Sequence, residues 1–258
     1  NRDQGSEKRL CAKRCVKAFA HRFSVFMFYK HRKGLKMASW VISIKTASAA
    51  ICITFFLGLA AARIVVNMKN ENLKMFLDGV LTLPLVLPPT VAGFFLLYLF
   101  GVKRPIGRFF IEYFGVKIAF SWGATVLAAV LISFPLMYRS ARGAFEQVDE
   151  NLIFAGRTLG LSEWTIFRKI IMPAAMPGVL SGGVLAFTRG LGEFGATAMI
   201  AGNIAGKTRT LPLAIYSEVA AGNMDKAGDY VTIIVVMSLL IVGGMNYYVI
   251  RRKRVTAK

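Results

Sequence analysis

Residues 38–62 read ASWVISIKTASAAICITFFLGLAAA, an almost unbroken apolar run. About 20 predominantly apolar residues in a helix cross the hydrocarbon core of a bilayer, so this run is long enough to span one. Working outward, comparable blocks occupy 79–101, 120–138, 174–202 and 230–250. The chain is 55% apolar with a mean hydropathy of +0.54, well above ordinary soluble usage. The expected fold is therefore all-α, a polytopic helical membrane protein with about five transmembrane helices. Polar loops rich in Gly, Pro and charge separate the blocks and leave little chain for a soluble domain. Neither a His metal cluster nor a Ser or Cys nucleophile with a base is visible, so neither an enzyme nor a cofactor or metal bound by this chain is expected. Cys11, Cys15 and Cys52 form neither a disulfide framework nor a zinc pattern, and His21 and His31 lie in a basic stretch that favours solvation.

A net charge of +20 would suggest nucleic acid in a soluble protein, but these cations sit at the ends of apolar blocks, which suits a membrane. Cytoplasmic loops carry the excess of Lys and Arg. On one side of a five-span layout lie Arg63, Lys69, Lys74, Arg139, Arg142, Arg157, Arg168, Lys169, Arg251, Arg252, Lys253, Arg254 and Lys258; on the other lie Lys103, Arg104, Arg108, Lys117, Lys207, Arg209 and Lys226. The loop at 139–173 and the tail at 252–258 are thus expected in the cytoplasm, with the start of the first span outside. Residues 1–36 oppose this orientation, because their many cations would have to cross. Their apolar piece, Val16 to Tyr29, is too short and too interrupted to add a span, though a basic surface-lying helix is compatible with it. A third account makes 1–36 a non-native leader. Arg32-Lys33-Gly34 can be encoded by a purine-rich ribosome-binding sequence shortly before Met37, so translation is expected to start at Met37.

Between the third and fourth blocks, Asp149 is placed to cap a helix ending near Leu159, and Gly160 to make a tight turn. Ser162 and Glu163 then start a second helix expected to stop at Pro173. On that helix Trp164, Phe167 and Ile171 recur at i, i+3 and i+7. Such a stripe packs on the protein's own spans or enters a partner's groove; periodicity alone favours self-packing. A DNA-reading helix-turn-helix is set aside, because flanking spans would hold it against the bilayer.

Two further features lie at membrane depth. Residues 83–90, LPLVLPPT, carry three prolines, including Pro88 and Pro89 before Thr90, and should bend or break a helix. In the fourth block, rich in small residues, Arg189 and Glu193 are spaced i, i+4, with Glu193 toward the outer end. A self-compensating structural pair is favoured over direct anion contact by Glu193, since a carboxylate repels an anion; Arg189 alone would attract one. Gly192 and Phe194 flank Glu193, and these residues with Pro88, Pro89 and Thr90 are the candidate pathway or gate positions.

The loop's spacing resembles that of the binding-protein-dependent ABC importer permeases. Phe154-Ala155-Gly156, Gly160, Ile170, Met172 and Pro173 follow the pattern E-A-A-x3-G-x9-I-x-L-P, with Phe154 in place of the acid, Gly156 in place of the second Ala, and Met172 in place of Leu. In that family the loop fits a cleft on the ATPase, so the resemblance reverses the preference for self-packing and implies docking through these residues with Trp164 and Phe167. Glu150, one turn before Phe154, is a candidate substitute for the lost carboxylate. Thr82 to Val91, Leu191 to Thr197, Ala201 to Ile204 and Thr210 to Tyr216 are similar to the molybdate and tungstate permeases of this family, and the similarity extends from about Met37 to Arg251.

That resemblance implies a MetI-like permease domain over 37–251, with a coupling loop at 139–173, in a prokaryotic cytoplasmic membrane. It further implies a homodimer, two ATPase subunits that carry the ATP and Mg, and an extracytoplasmic molybdate- or tungstate-binding protein. Nucleic acid is not an expected partner. Sulfate or thiosulfate is the alternative cargo, because those permeases share the Gly-Glu-Phe-Gly-Ala segment. An ion-coupled secondary transporter is the alternative of another class, although no inverted repeat is visible.

Overall fold

The computed structural model describes residues 39–256, and every regular element among them is helical. In chain order these are α1 (Ser39–Val66), α2 (Glu71–Val86), α3 (Pro89–Phe100), α4 (Pro105–Phe114), α5 (Trp122–Glu146), α6 (Glu150–Thr158) and α7 (Glu163–Ile166). A π turn at Phe167–Ile171 follows, then α8 (Met172–Leu191), α9 (Gly195–Ala201), α10 (Leu211–Ala220) and α11 (Met224–Thr256). The stretch 1–36, with Cys11, Cys15, His21 and His31, the start at Met37, and the side chains of the tail at 252–258 lie outside the described residues.

Four helical stretches are long and apolar enough to cross a membrane: α1, α5, the continuous run Glu163–Leu191, and the Met224–Met245 part of α11. The pair α2 and α3 makes a fifth if counted as one span, but the two helices meet at 109°. The expected block 79–101 is therefore two helices, the first starting upstream at Glu71, where the Asn70 side chain accepts from the Asn72 and Leu73 backbone N–H groups. The break follows from consecutive prolines, since a residue preceding Pro is pushed out of the α region. Leu87 (ψ 138) and Pro88 (ψ 135) are both extended, and Pro89 restarts the chain as the first residue of α3.

The core is a seam between α1 and α5. Thr46, Ala50, Thr54, Gly58 and Ala62 step by four along α1 and face Thr125, Ala129, Ser133, Met137 and Ala141 on α5. A constant sequence offset of 79 means that the two helices run parallel, in register. Small side chains let the backbones approach, and the hydroxyls among them bond across the seam: Thr46 with Thr125 at 3.0 Å and Thr54 with Ser133 at 3.2 Å. The Trp122 indole N–H donates to Thr46 Oγ1 at 3.1 Å, at the end where both helices begin. On its other flank α5 receives α8, antiparallel, through Gly178 against Ala144, Gly182 against Ser140 and Gly190 near Ser133. A Cβ on Gly178 would lie 2.7 Å from Ala144 Cβ, and one on Gly182 still closer to Ser140.

The expected block 174–202 is not one helix either. It ends at Leu191, breaks across Gly192–Phe194, and resumes as α9. Nor does the loop helix stop at Pro173. It continues into α8 because the π turn absorbs the missing donor: the Met172 N–H reaches back five residues to Phe167 O, and Pro173, which has no N–H to place, falls just inside the next α turn.

Gly182→Val should overpack the α5–α8 contact by about 1–3 kcal/mol and cost the detergent-solubilised protein its monodisperse elution and thermal midpoint. Gly143→Val, where an added Cβ meets nothing within 4 Å, should leave both nearly unchanged.

Candidate functional site

The 150–173 loop is built by caps. Asp149 Oδ1 accepts from the Asn151 N–H at 2.9 Å and starts α6. Its end is a Schellman turn: the Leu161 N–H bonds Gly156 O at 3.1 Å, the Gly160 N–H bonds Arg157 O at 2.9 Å, and Gly160 takes φ +73°. Only Gly enters that left-handed conformation without a steric cost, so Gly160 sets the angle between the two loop helices. Ser162 Oγ then accepts from the Thr165 N–H and starts α7. Arg157 bridges the turn to Glu163 in two bonds, 2.7 and 3.3 Å, which raise its pKa above the ordinary guanidinium value.

Gly156 sits where α6 crosses the second loop helix: a Cβ there would come 3.0 Å from Ile170 Cδ1 and 3.2 Å from Ile166 Cγ1. Packing thus accounts for a Gly at a position where the family pattern has Ala. Of the expected docking residues, Phe154, Ala155, Gly160, Trp164 and Pro173 are exposed, Phe167, Ile170 and Met172 half-buried, and Gly156 buried. The stripe divides accordingly. Phe167 and Ile171 turn inward on the core, with Phe167 at 5.7 Å from the Phe145 ring, while Trp164 (62% exposed) and Phe154 (54%) form an apolar outer surface.

Two contacts near this loop were not evident from periodicity, one that anchors the loop to α1 and one that ties α2 to α5. Arg63, in the last turn of α1, places its guanidinium 3.6 Å from the Phe167 ring centroid and 5.4 Å from that of Trp164. Asp78 on α2 accepts from Tyr138 Oη at 2.9 Å and pairs with Arg142, which also bonds Glu146 at 2.8 Å. The signals were present as a lone basic residue closing an apolar block and a lone Asp just before the next.

The membrane-depth candidates gather at the two helix breaks, and the breaks touch. A Cβ on Gly195 would lie 3.0 Å from Pro89 Cβ and 3.2 Å from Thr90 N; one on Gly93 would lie 2.6 Å from Ala196 Cα. Pro89 and Thr90 are thus brought against the start of α9. Glu193 is only 2% exposed. One of its oxygens accepts from the Ala196 N–H at 2.9 Å and the other from Arg189 Nη1 at 2.7 Å, so its charge is spent on the α9 N-terminus and on Arg189. The Arg189 side chain stays about one-third exposed (32%), Gly192 and Thr90 are exposed, and the Phe194 ring packs at 5.1 Å on Tyr216 of α10.

Known proteins share this architecture. The MetNI methionine ABC transporter in inward-facing conformations superposes with a TM-score of 0.63 at 17% identity, covering 81% of this chain and 91% of that one. An amino acid ABC transporter crystallised with histidines gives 0.58 at 18% identity, covering 90% and 97%. In sequence, the molybdenum transport system permease protein ModB of Escherichia coli K12 is 46% identical over 69% of this chain and 77% of its own length. The putative molybdenum transport system permease protein YvgM of Bacillus subtilis is 41% identical over 78% and 88%, and ModB of Mycobacterium tuberculosis 40% over 80% and 77%. Residues 54–255 match the family described as binding-protein-dependent transport system inner membrane component. The chain belongs to that family, a family of multi-pass ABC importer permeases that work with ATPase and substrate-binding partners.

Proposed function

We propose that this chain is the permease subunit of an importer that carries molybdate or tungstate into a prokaryotic cytoplasm. It acts as a homodimer: two ATPase subunits, which hold the ATP and Mg, engage the 150–173 loops, and an oxyanion-binding protein docks on the opposite face. The loop and the C-terminal tail face the cytoplasm and the first span starts outside, as the distribution of Lys and Arg favours. The observation that carries the docking reading is the rigid Schellman-turned loop with Phe154 and Trp164 held outward at one end of the bundle. The cargo reading rests on the relatives at 40–46% identity, each described as a molybdenum transport permease. A relative described as a probable sulfate permease, from Chlorokybus atmophyticus at 31% identity, supplies the competing cargo.

Transport proceeds by alternating access. ATP closes the ATPases and draws the two loops together, the spans open outward to take the anion from the loaded binding protein, and hydrolysis returns the inward-facing form. ATP and the loaded binding protein must both favour the outward state, since a ligand shifts an equilibrium only by its differential affinity. Arg189 supplies a weak attraction at the break, and Glu193 keeps that attraction from becoming a tight site.

Proteoliposomes holding the chain with its ATPase and binding protein should take up molybdate only with ATP, in a vanadate-sensitive manner. Sulfate uptake at equal efficiency would overturn the cargo, and uptake without ATP the class.

Gly160→Val forces a β-branched residue to φ +73°, at a cost of about 2 kcal/mol in the turn. Membrane insertion should persist while uptake and its coupling to ATP hydrolysis fall to background; normal uptake would remove the loop from the coupling path.

Glu193→Ala leaves Arg189 and the Ala196 N–H without their partner and should lower stability by about 3 kcal/mol, seen in thermal unfolding in detergent. Arg189→Met combined with Glu193→Gln removes both charges but keeps an acceptor for Ala196. It should melt near the parent and still lose uptake; undiminished uptake would make the pair purely structural.

A further inference from the structure

Helix α4 takes part in neither the α1–α5–α8 packing nor the two breaks, and its surface is divided three ways. One flank packs back on the end of α3: Gly107 is buried against the Phe100 and Gly101 carbonyls, and the Phe110 ring lies 6.4 Å from Phe100. A second flank carries Ile106, Phe109 and Tyr113 at i, i+3 and i+7, exposed at 38%, 49% and 74%, with Phe109 and Tyr113 4.7 Å apart. The third carries Arg108 and Glu112. Around the helix stand Lys103, Arg104, Arg108 and Lys117 against the single acid Glu112, and Arg104 stacks over Tyr98 of α3 at 4.0 Å.

We propose that α4 lies in the plane of the bilayer interface, with Ile106, Phe109 and Tyr113 in the acyl boundary and Lys103, Arg104 and Arg108 on the phosphates of anionic phospholipids. Three observations select lipid as the occupant. The helix is tied by residues 101–104 to the apolar helix α3 and by 115–121 to the membrane-length α5, at the bundle end remote from the 150–173 loop. That tether confines it to the level where the hydrocarbon ends. Its exposed apolar flank is mostly aromatic, the chemistry that settles at the headgroup level. The neighbouring α3 likewise exposes rings, Phe94, Phe95 and Tyr98. Finally, the surplus of cations beside that flank complements an anionic headgroup layer, and Arg104 on Tyr98 has the posture of a cation snorkelling from an aromatic body toward phosphate. The inference rests on the chain spanning a membrane, not on its cargo.

The test uses the full-length chain with Cys11, Cys15 and Cys52 replaced by Ser, a nitroxide attached at Tyr113→Cys or, in a second protein, Phe109→Cys, and no transport readout. Each protein is reconstituted in phosphatidylcholine bilayers with and without phosphatidylglycerol. Both labels should be relaxed by oxygen and shielded from a water-soluble nickel chelate, at a depth about 5–10 Å below the phosphates. Phosphatidylglycerol should shift them deeper, and Lys103→Glu with Arg108→Glu should abolish that shift. Labels open to the nickel chelate would place the flank in water, and labels closed to both relaxants would place it under protein, a second copy included; either overturns the proposal. Equal depth in the two lipids would overturn its headgroup part.

Discussion

Everything else in this bundle is positioned by the contact between α1 and α5. Lipid tails are as apolar as the side chains, so helices do not associate in a bilayer by escaping water; they need close packing and hydrogen bonds. The four-residue series on α1 and α5 supplies both at once, because its small members bring the backbones together and its Thr and Ser hydroxyls then reach each other. The α5 hydroxyls also donate to their own helix, Thr125 to Trp122 O at 2.7 Å and Ser133 to Ala129 O at 2.6 Å, so none of the four seam hydroxyls is left unsatisfied in an apolar setting. With α8 seated through its glycines on the opposite flank, α5 is held on two sides and its ends become fixed points.

Those ends reach both candidate regions. At one, Phe145 of α5 meets Phe167 of the loop. At the other, Phe120, just before α5, donates its N–H to Ile200 O of α9 at 3.0 Å, so the short helix beyond the second break is hung from the entrance to α5. The breaks then meet for a packing reason, since Gly93 and Gly195 let α3 and α9 approach backbone to backbone. Interrupted helices at membrane depth are tolerated where protein re-covers the freed backbone, and Glu193 is the group that does so for α9.

Much of this was legible in the sequence, and the rest was hidden for identifiable reasons. Block length gave the helical membrane class, three prolines gave the bend, and Asp149, Gly160 and Ser162 gave the loop's caps, because each of these is a local rule with a local cause. The second break escaped notice because Gly192-Glu193-Phe194-Gly195 is apolar enough to blend into its block, and small residues in a membrane helix signal close packing as readily as interruption. Pro173 misled in the other direction: a π turn, which no residue type announces, carried the helix past it. The α1–α5 seam is present in the sequence only as two series, mostly of small residues, stepping by four, and they meet only when spans far apart in sequence are aligned. Arg63 counted toward topology, and its aromatic partners are a tertiary fact.

Under the proposed coupling, these contacts also restrict how motion can pass through the subunit. The loop is joined to three helices at once: to α1 through Arg63 on Phe167, to α5 through Phe145, and to α8 by continuous helix through the π turn. Because α1, α5 and α8 are already packed along their lengths, a displacement of the loop cannot move one without the others and is delivered as a rigid-body rotation. The α2–α3 pair is attached differently. Asp78 ties α2 to Tyr138 and Arg142 on α5 near the loop, while Gly93 ties α3 to α9 near the far face. Both attachments lead to α5, since α9 is itself hung from Phe120 at the entrance to α5 and α3 packs with both in one cluster, so the α2–α3 pair is held to that helix on each side of its break at Leu87–Pro88. The proline break lies against the break that carries Arg189 and Glu193, so under the proposed coupling the two interrupted helices travel together with α5.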